Sequence, residues 1–168
     1  MEKQNTYIRE LDKMLENAIK RMKIENPNFV IYTASIWTDR LAKVSAISFD
    51  SKSNSLQNID KSNIYNERYY EKYTSEGDLK MAEMFKPNES DRFCNPADFE
   101  LESFEEFNHD SVPSRWYPTL VKFGNLAFEK IVSELNVDQD NFELGINSNK
   151  EWYVKTWNIG NLKVYIRL

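Results

Sequence analysis

Apolar residues recur at helical spacing near the start of the chain. Ile8, Leu11, Leu15, Ala18, Ile19 and Met22 fall on one stripe, behind a cap at Asn5 or Thr6 and ahead of a stop at Pro27. This pattern predicts a helix over roughly residues 6–25. The run from Phe29 to Trp37 is β-branched and aromatic, and a second such run from Leu41 to Phe49 follows the short Thr38-Asp39-Arg40 connection. Two such runs around a tight turn predict a hairpin. Residues 51–63 are dense in Ser, Asn, Asp and Lys and are expected to form a loop.

Tyr65, Tyr69 and Tyr73 stand four residues apart, one above another on a helix face that Gly77 interrupts. Leu79, Ala82 and Phe85 resume an apolar stripe up to Pro87. An irregular acidic stretch is expected from Asn88 to Val112. Tyr117, Leu120, Val121, Gly124, Ala127, Phe128, Ile131 and Leu135 then mark an amphipathic helix, with Pro118 tolerated in its first turn. Three patterned runs follow, at residues 142–146, 151–157 and 162–168, and predict a meander. The last alternates cleanly, with Leu162, Val164, Ile166 and Leu168 facing one way. The expected fold is thus α+β: a single domain over 1–168 with an N-terminal helix, a β-hairpin, central helices and a C-terminal three-stranded antiparallel meander.

Composition narrows the chemistry. The 168 residues are 40% hydrophobic and 14% aromatic, enough for a core and unlike a disordered chain. No apolar run approaches the roughly 18 residues of a membrane span. The opening Met1-Glu2-Lys3-Gln4-Asn5 is polar where a signal peptide needs an apolar core, so a cytoplasmic location is expected. Cys94 is the sole cysteine and His109 the sole histidine, which excludes an internal disulfide and any multi-Cys/His zinc site. Four glycines in the whole chain cannot build a Gly-rich phosphate loop. No cofactor is expected.

Charge is the most uneven property. The chain carries a net charge of −5, an unfavourable sign for direct nucleic-acid binding. Between Glu89 and Asp110 lie eight acidic residues against the single Arg92, so the rest of the chain is positive on balance. Crowding like charge costs stability, a cost that a cationic partner would relieve. Asp98, Glu100, Glu102, Glu105, Glu106 and Asp110 are therefore candidate partner-binding residues, with the face of Tyr65, Tyr69 and Tyr73 as a second candidate. Ordinary readings stand beside both: a solvated loop anchored by Phe99, Leu101, Phe104 and Phe107, and half-buried tyrosines. Ser103 and Glu106 have capping-box spacing. The segment lacks the glycine and ligand spacing of a calcium loop. A Cys94–His109 nucleophile–base pair is disfavoured by the surrounding carboxylates, leaving an incidental thiol and a surface imidazole.

The order of elements, with Phe29-Val30-Ile31-Tyr32, Trp37-Thr38-Asp39, Arg115-Trp116-Tyr117-Pro118 and Asn141-Phe142-Glu143-Leu144-Gly145-Ile146, resembles a group of small bacterial proteins encoded beside polymorphic toxins. The resemblance implies an immunity protein, as in contact-dependent growth inhibition. Together with the charge pattern it gives the expectation of a non-enzymatic inhibitor. Such a protein would be monomeric or weakly dimeric alone and form a heterodimer with a basic toxin domain such as a nuclease, without direct contact to nucleic acid or membrane. Two rival readings are a small carboxylate- or metal-dependent hydrolase using Asp98, Glu100 and Glu102, and an adaptor domain without a dedicated ligand.

Overall fold

The computed structural model describes residues 2–160. Helix α1 runs Glu2–Glu25, strand β1 Thr33–Asp39 and strand β2 Val44–Asp50. Helices α2, Lys52–Ser75, and α3, Leu79–Met84, come next. Strand β3, Leu101–Asn108, helix α4, Trp116–Glu134, and strands β4, Glu143–Ile146, and β5, Lys155–Asn158, complete the order. The chain divides into two compact units: Met1–Ser51 with Asn95–Leu168, and Lys52–Cys94 between them.

The first unit is a five-stranded mixed sheet in the order β3-β2-β1-β4-β5. The predicted hairpin is there, β1 and β2 pairing antiparallel from Thr33↔Asp50 to Asp39↔Val44. The other edge of β1 pairs in parallel with β4, from Thr33↔Glu143 to Ile36↔Ile146. Period-two geometry sends Ala34, Ile36, Ile47 and Phe49 to one side, where α1 and α4 pack. Helix α1 forms because Tyr7, Leu11, Met14, Leu15, Ala18, Ile19 and Met22 all fall on that side, and each is buried. Helix α4 answers with Trp116, Leu120, Phe123, Ala127, Phe128 and Ile131. Phe128 stacks on Phe142 with centroids 5.5 Å apart. At the solvent edge, Lys23–Glu134 and Lys130–Asp12, both 2.7 Å, tie the two helices together.

The second unit is a helical hairpin with a returning tail. Gly77, at φ 77, breaks the chain after α2, and Asp78 caps α3 by accepting from the Met81 amide at 3.1 Å. Asn63 and Asn88 exchange two hydrogen bonds of 2.9 and 2.7 Å, and Ser55 Oγ accepts from the Phe93 amide at 2.7 Å. The tail therefore runs back along α2.

The α+β class, the N-terminal helix, the hairpin and the central helices are as expected. Three local expectations are corrected. The polar stretch 51–63 is the first half of α2. No Gly or Pro lies between residues 52 and 76, and Ser55 and Ile59, one turn apart, are buried and fix the helix despite the composition. The acidic stretch is not irregular after Asn95. It makes a 3-10 turn, Pro96–Asp98, and then edge strand β3, whose register against β2 shifts between Ile47 and Phe49. Ser103 sits in this irregular part of β3 at φ 44, so Ser103 and Glu106 form no capping box. The meander is only partly separate. Strands β4 and β5 are antiparallel, but β5 starts at Lys155 rather than Glu151, and β4 joins β1 in a mixed sheet. Residues 147–154 fold instead over the face of the sheet away from α1 and α4. There Trp152 meets Trp37 edge-on at 5.8 Å and the Tyr153 ring lies over Gly145. The expected last strand, 162–168, lies outside the described residues.

Candidate functional site

The carboxylates of the acidic segment have different fates. Asp98 accepts from Asn95 Nδ2 at 2.5 Å within the 3-10 turn. The Glu100 carboxylate accepts from the Ser51 hydroxyl, and the Glu100 amide donates to Asp50 Oδ1 at 3.1 Å. Glu105 pairs with Ile47, which places it on the helix side of the sheet. There it takes Arg21 Nη1 at 2.8 Å and Asn17 Nδ2 at 3.4 Å. Arg21 also grips Glu25 at 2.9 Å and lies 4.3 Å over the Phe104 ring. These acceptors, Glu25 first and Glu105 second, push the guanidinium pKa further up, and Arg21 in turn holds Glu25 below the usual carboxylate range. Glu105 is thus a packing residue between α1 and β3.

Glu106 pairs with Ala46, on the opposite side of the sheet, and Glu102 shares that side. Both are exposed, as is Asp110. Among the described residues none of these three carboxylates makes an ion pair. Asp98 and Glu100 are exposed as well but hydrogen-bonded to neighbouring side chains, so among the described residues the outer carboxylates of the segment without a partner are Glu102, Glu106 and Asp110. Glu89 and Asp91 belong to the other unit.

The tyrosine face lies within that second unit. Tyr65, Tyr69 and Tyr73 line one side of α2, with centroids 4.8 and 6.5 Å apart. Phe85 packs on all three at 6.4, 5.1 and 5.5 Å. The stripe is therefore first of all the seam between α2 and the end of α3. Tyr65 remains 57% exposed, and its hydroxyl pKa is raised, mainly by its hydrogen bond with Tyr69.

His109 is not the surface imidazole expected. It is buried, because its amide bonds to the Lys43 carbonyl at 2.8 Å and swings the ring under α1. Nδ1 lies 2.7 Å from Glu10 Oε2 and Nε2 2.7 Å from Ser45 Oγ. The chain continues from Ser45 Oγ to Thr38 Oγ1 at 2.6 Å and on to the Tyr7 hydroxyl at 2.7 Å. One arrangement of protons satisfies every member. Tyr7 donates to Thr38, Thr38 to Ser45 and Ser45 to Nε2, while Nδ1–H donates to the Glu10 carboxylate. Burial pushes the Tyr7 hydroxyl up to about 12, which keeps it a donor. Ser45, His109 and Glu10 have the spacing of a hydrolase triad, yet Ser45 and the imidazole are fully enclosed, so no substrate carbonyl reaches Oγ. With both ring nitrogens engaged, His109 is not a base for Cys94, which is exposed.

Open space gathers where β1 and β4 end together and α4 begins, the position at which open α/β sheets bind ligands. A cavity of about 330 Å³ is lined by Asp39, Arg40, Trp116, Asn147, Lys150 and Trp152, among others. Asn147 closes its floor, accepting from the Thr38 amide and donating to the Thr38 carbonyl, both at 2.9 Å. Asp39 is turned away into its own loop, where Oδ1 accepts from the amides of Leu41 and Ala42. Beyond Arg40 opens a cleft of about 630 Å³ lined by Lys3, Arg40, Ser111, Ser114 and Arg115. A third, of about 280 Å³, shares Gln4 and Arg115 with it and adds Lys122. These residues were not legible in sequence, since Lys3, Arg40, Arg115 and Lys122 are scattered singly. The buried network left a weak signal: Thr38 and Ser45 are polar at positions the alternation assigns to the core.

Among the described residues no three His, Cys, Asp or Glu side chains stand together as a metal ligand set, and no helix is long and apolar enough to cross a membrane. The fold defines an α+β protein with a five-stranded mixed sheet, helices on one face and a helical unit inserted between β2 and β3. No family model, curated protein or solved structure matches the chain.

Proposed function

We propose that this protein is a cytoplasmic inhibitor of a basic protein, and specifically an immunity protein that neutralises a cationic bacterial toxin such as a nuclease. The reading rests on one observation. Glu102, Glu106 and Asp110 stand exposed on and just after edge strand β3 with no cation among the described residues pairing with them, whereas Glu105 is drawn into the fold. Charges on an edge strand also prevent unplanned strand pairing. That role needs no particular sign, and the three here are all negative. A basic partner surface would be steered to them. Asp98 and Glu100 support this face by fixing its entry turn rather than acting as an acid–base pair. Binding rather than catalysis also suits a Ser45–His109–Glu10 chain that is closed to substrate.

The test is protection. Where the gene beside this one encodes a large secreted protein, its C-terminal domain, expressed alone, should arrest growth, and co-expression of this chain should restore it. Purified together, the two should form a one-to-one complex that salt weakens. Growth arrest untouched by co-expression, or no complex at low salt, overturns the proposal.

A further inference from the structure

The chain is acidic overall, but its two joined clefts beside the start of α4 are cationic. Lys3 from α1, Arg40 from the β1–β2 turn and Arg115 from the loop before α4 line the larger one, and Lys122 lines the smaller. No carboxylate lines either cleft, and none of these four cations makes an ion pair among the described residues. The nearest acidic side chain in sequence to Arg40, Asp39, is held by its own turn.

Unpaired cations converging from three segments repel one another, and each pays for that in stability unless an anion is bound. The backbone adds to the same sign. Arg115 occupies the N-cap of α4 and makes no side-chain cap bond, where the positive end of the helix dipole favours an acceptor. The Trp116 amide is taken by the Pro113 carbonyl, and Pro118 has no N–H. Ser111 and Ser114 supply hydroxyl donors at the same wall.

We propose that this linked cleft is a binding site for a small polyphosphate anion, held by Lys3, Arg40 and Arg115 with Lys122 at its far end. Two arginines favour phosphoryl oxygens, which their planar forks engage in pairs. Four cations over two connected clefts match a ligand with more than one phosphoryl group better than a single monovalent anion. Glu102, Glu106 and Asp110 line neither cleft, although Asp110 adjoins Ser111 at its wall, and pyrophosphate binding needs no protein partner, so the site stands or falls independently of the toxin-binding reading.

Calorimetric titration of the full chain with pyrophosphate at fixed ionic strength should give one saturable site, with a dissociation constant below about 1 mM. In a ¹⁵N-resolved spectrum the amides of Ser114, Arg115, Tyr117 and Thr119 should shift along one saturating curve. The double variant Arg40→Gln/Arg115→Gln should weaken binding about tenfold or more. Lys20→Gln/Lys80→Gln, matched in charge change at exposed sites elsewhere, should bind as the parent does. Lys3→Gln, which leaves the helix start intact, should weaken binding about threefold and guards against a folding defect in the double variant. Heats that never saturate overturn the proposal. So do shifts spread over the whole surface, or equal losses in the two double variants.

Discussion

Arg21 Nη1 lies 2.8 Å from Glu105 Oε2, and through this contact α1 holds the edge strand of the sheet. The same guanidinium bonds the Phe104 carbonyl and covers the Phe104 ring. Neighbouring glutamates in sequence, Glu105 and Glu106, therefore have opposite duties. Changing Glu105 to Gln should lower stability by about 0.5–1 kcal/mol, the usual worth of a half-exposed pair, measurable by urea denaturation. The combined change Glu102→Gln, Glu106→Gln and Asp110→Asn should leave stability within about 0.5 kcal/mol. It should nevertheless slow association with a basic partner and flatten its salt dependence. A steeper loss of stability in the triple variant than in Glu105→Gln would reverse this assignment.

The buried chain from Tyr7 to Glu10 gives alkaline pH a specific effect. Tyr7 titrates near 10 when unfolded and about 12 when folded, so the folded state holds its proton more tightly. Its contribution is complete below pH 10 and is lost as pH rises from 10 through 12. That loss amounts to roughly 2–3 kcal/mol, the free energy that corresponds to the difference between the two pKa values. Tyr7→Phe should start less stable at pH 7 by about 1 kcal/mol, for the lost bond to Thr38, but decline less steeply between pH 10 and 12. Parallel declines of the two proteins would show that Tyr7 is not the titrating group.

Asn147 substitutes for a strand residue just beyond the end of β4, since its amide serves both the N–H and the carbonyl of Thr38. Asn147→Ala leaves both buried backbone groups wanting, at about 1–3 kcal/mol each. A fall in the thermal midpoint of several degrees is expected. Asn147→Asp should be nearly as harmful, because a carboxylate can accept from Thr38 N–H but cannot donate to its carbonyl. A midpoint in Asn147→Asp equal to the parent's would mean that the donated bond contributes nothing.

At Gly124 of α4 a Cβ would overlap the ring of Trp157, whose Nε1 donates to Asn125 Oδ1 at 2.7 Å. Alanine has the higher helix propensity, by about 1 kcal/mol, so the helix alone would favour Gly124→Ala. Overlap of rigid atoms costs about 1–3 kcal/mol and should outweigh that gain. Gly124→Ala should therefore destabilise the parent but stabilise a Trp157→Ala background. The same sign in both backgrounds would exclude the contact as the cause.

Periodicity made the helices on the sheet legible, because Leu11, Leu15 and Ile19 or Leu120, Ala127 and Ile131 pack against one continuous apolar face. It failed where the burial is thin. In the first half of α2 only Ser55 and Ile59 are buried, so the polar majority read as loop. The parallel pairing of β4 with β1 left no local trace, since nothing near Glu143 names Thr33 as its neighbour. In the acidic segment the charges were visible, but the bulge at Ser103 decides which of Glu102, Glu105 and Glu106 turns inward. The cationic clefts depend wholly on three distant segments meeting, which single-residue patterns cannot express.

The parallel pairing of β1 with β4 also sets the order in which the chain can complete itself. Strand β1 finds β2 across four residues, but its other edge waits for a partner more than a hundred residues downstream, at the separation of 109 that divides Thr38 from Asn147. During synthesis, the β1–β4 seam at the centre of the sheet therefore closes late, followed by the β4–β5 pairing, and Ala34 and Ile36 stand beside an unfilled edge until α4 and β4 have emerged. Non-local closure of this kind slows folding, and an open central edge is a template for wrong pairings. The central strand of the finished sheet is thus one with an open edge on the ribosome.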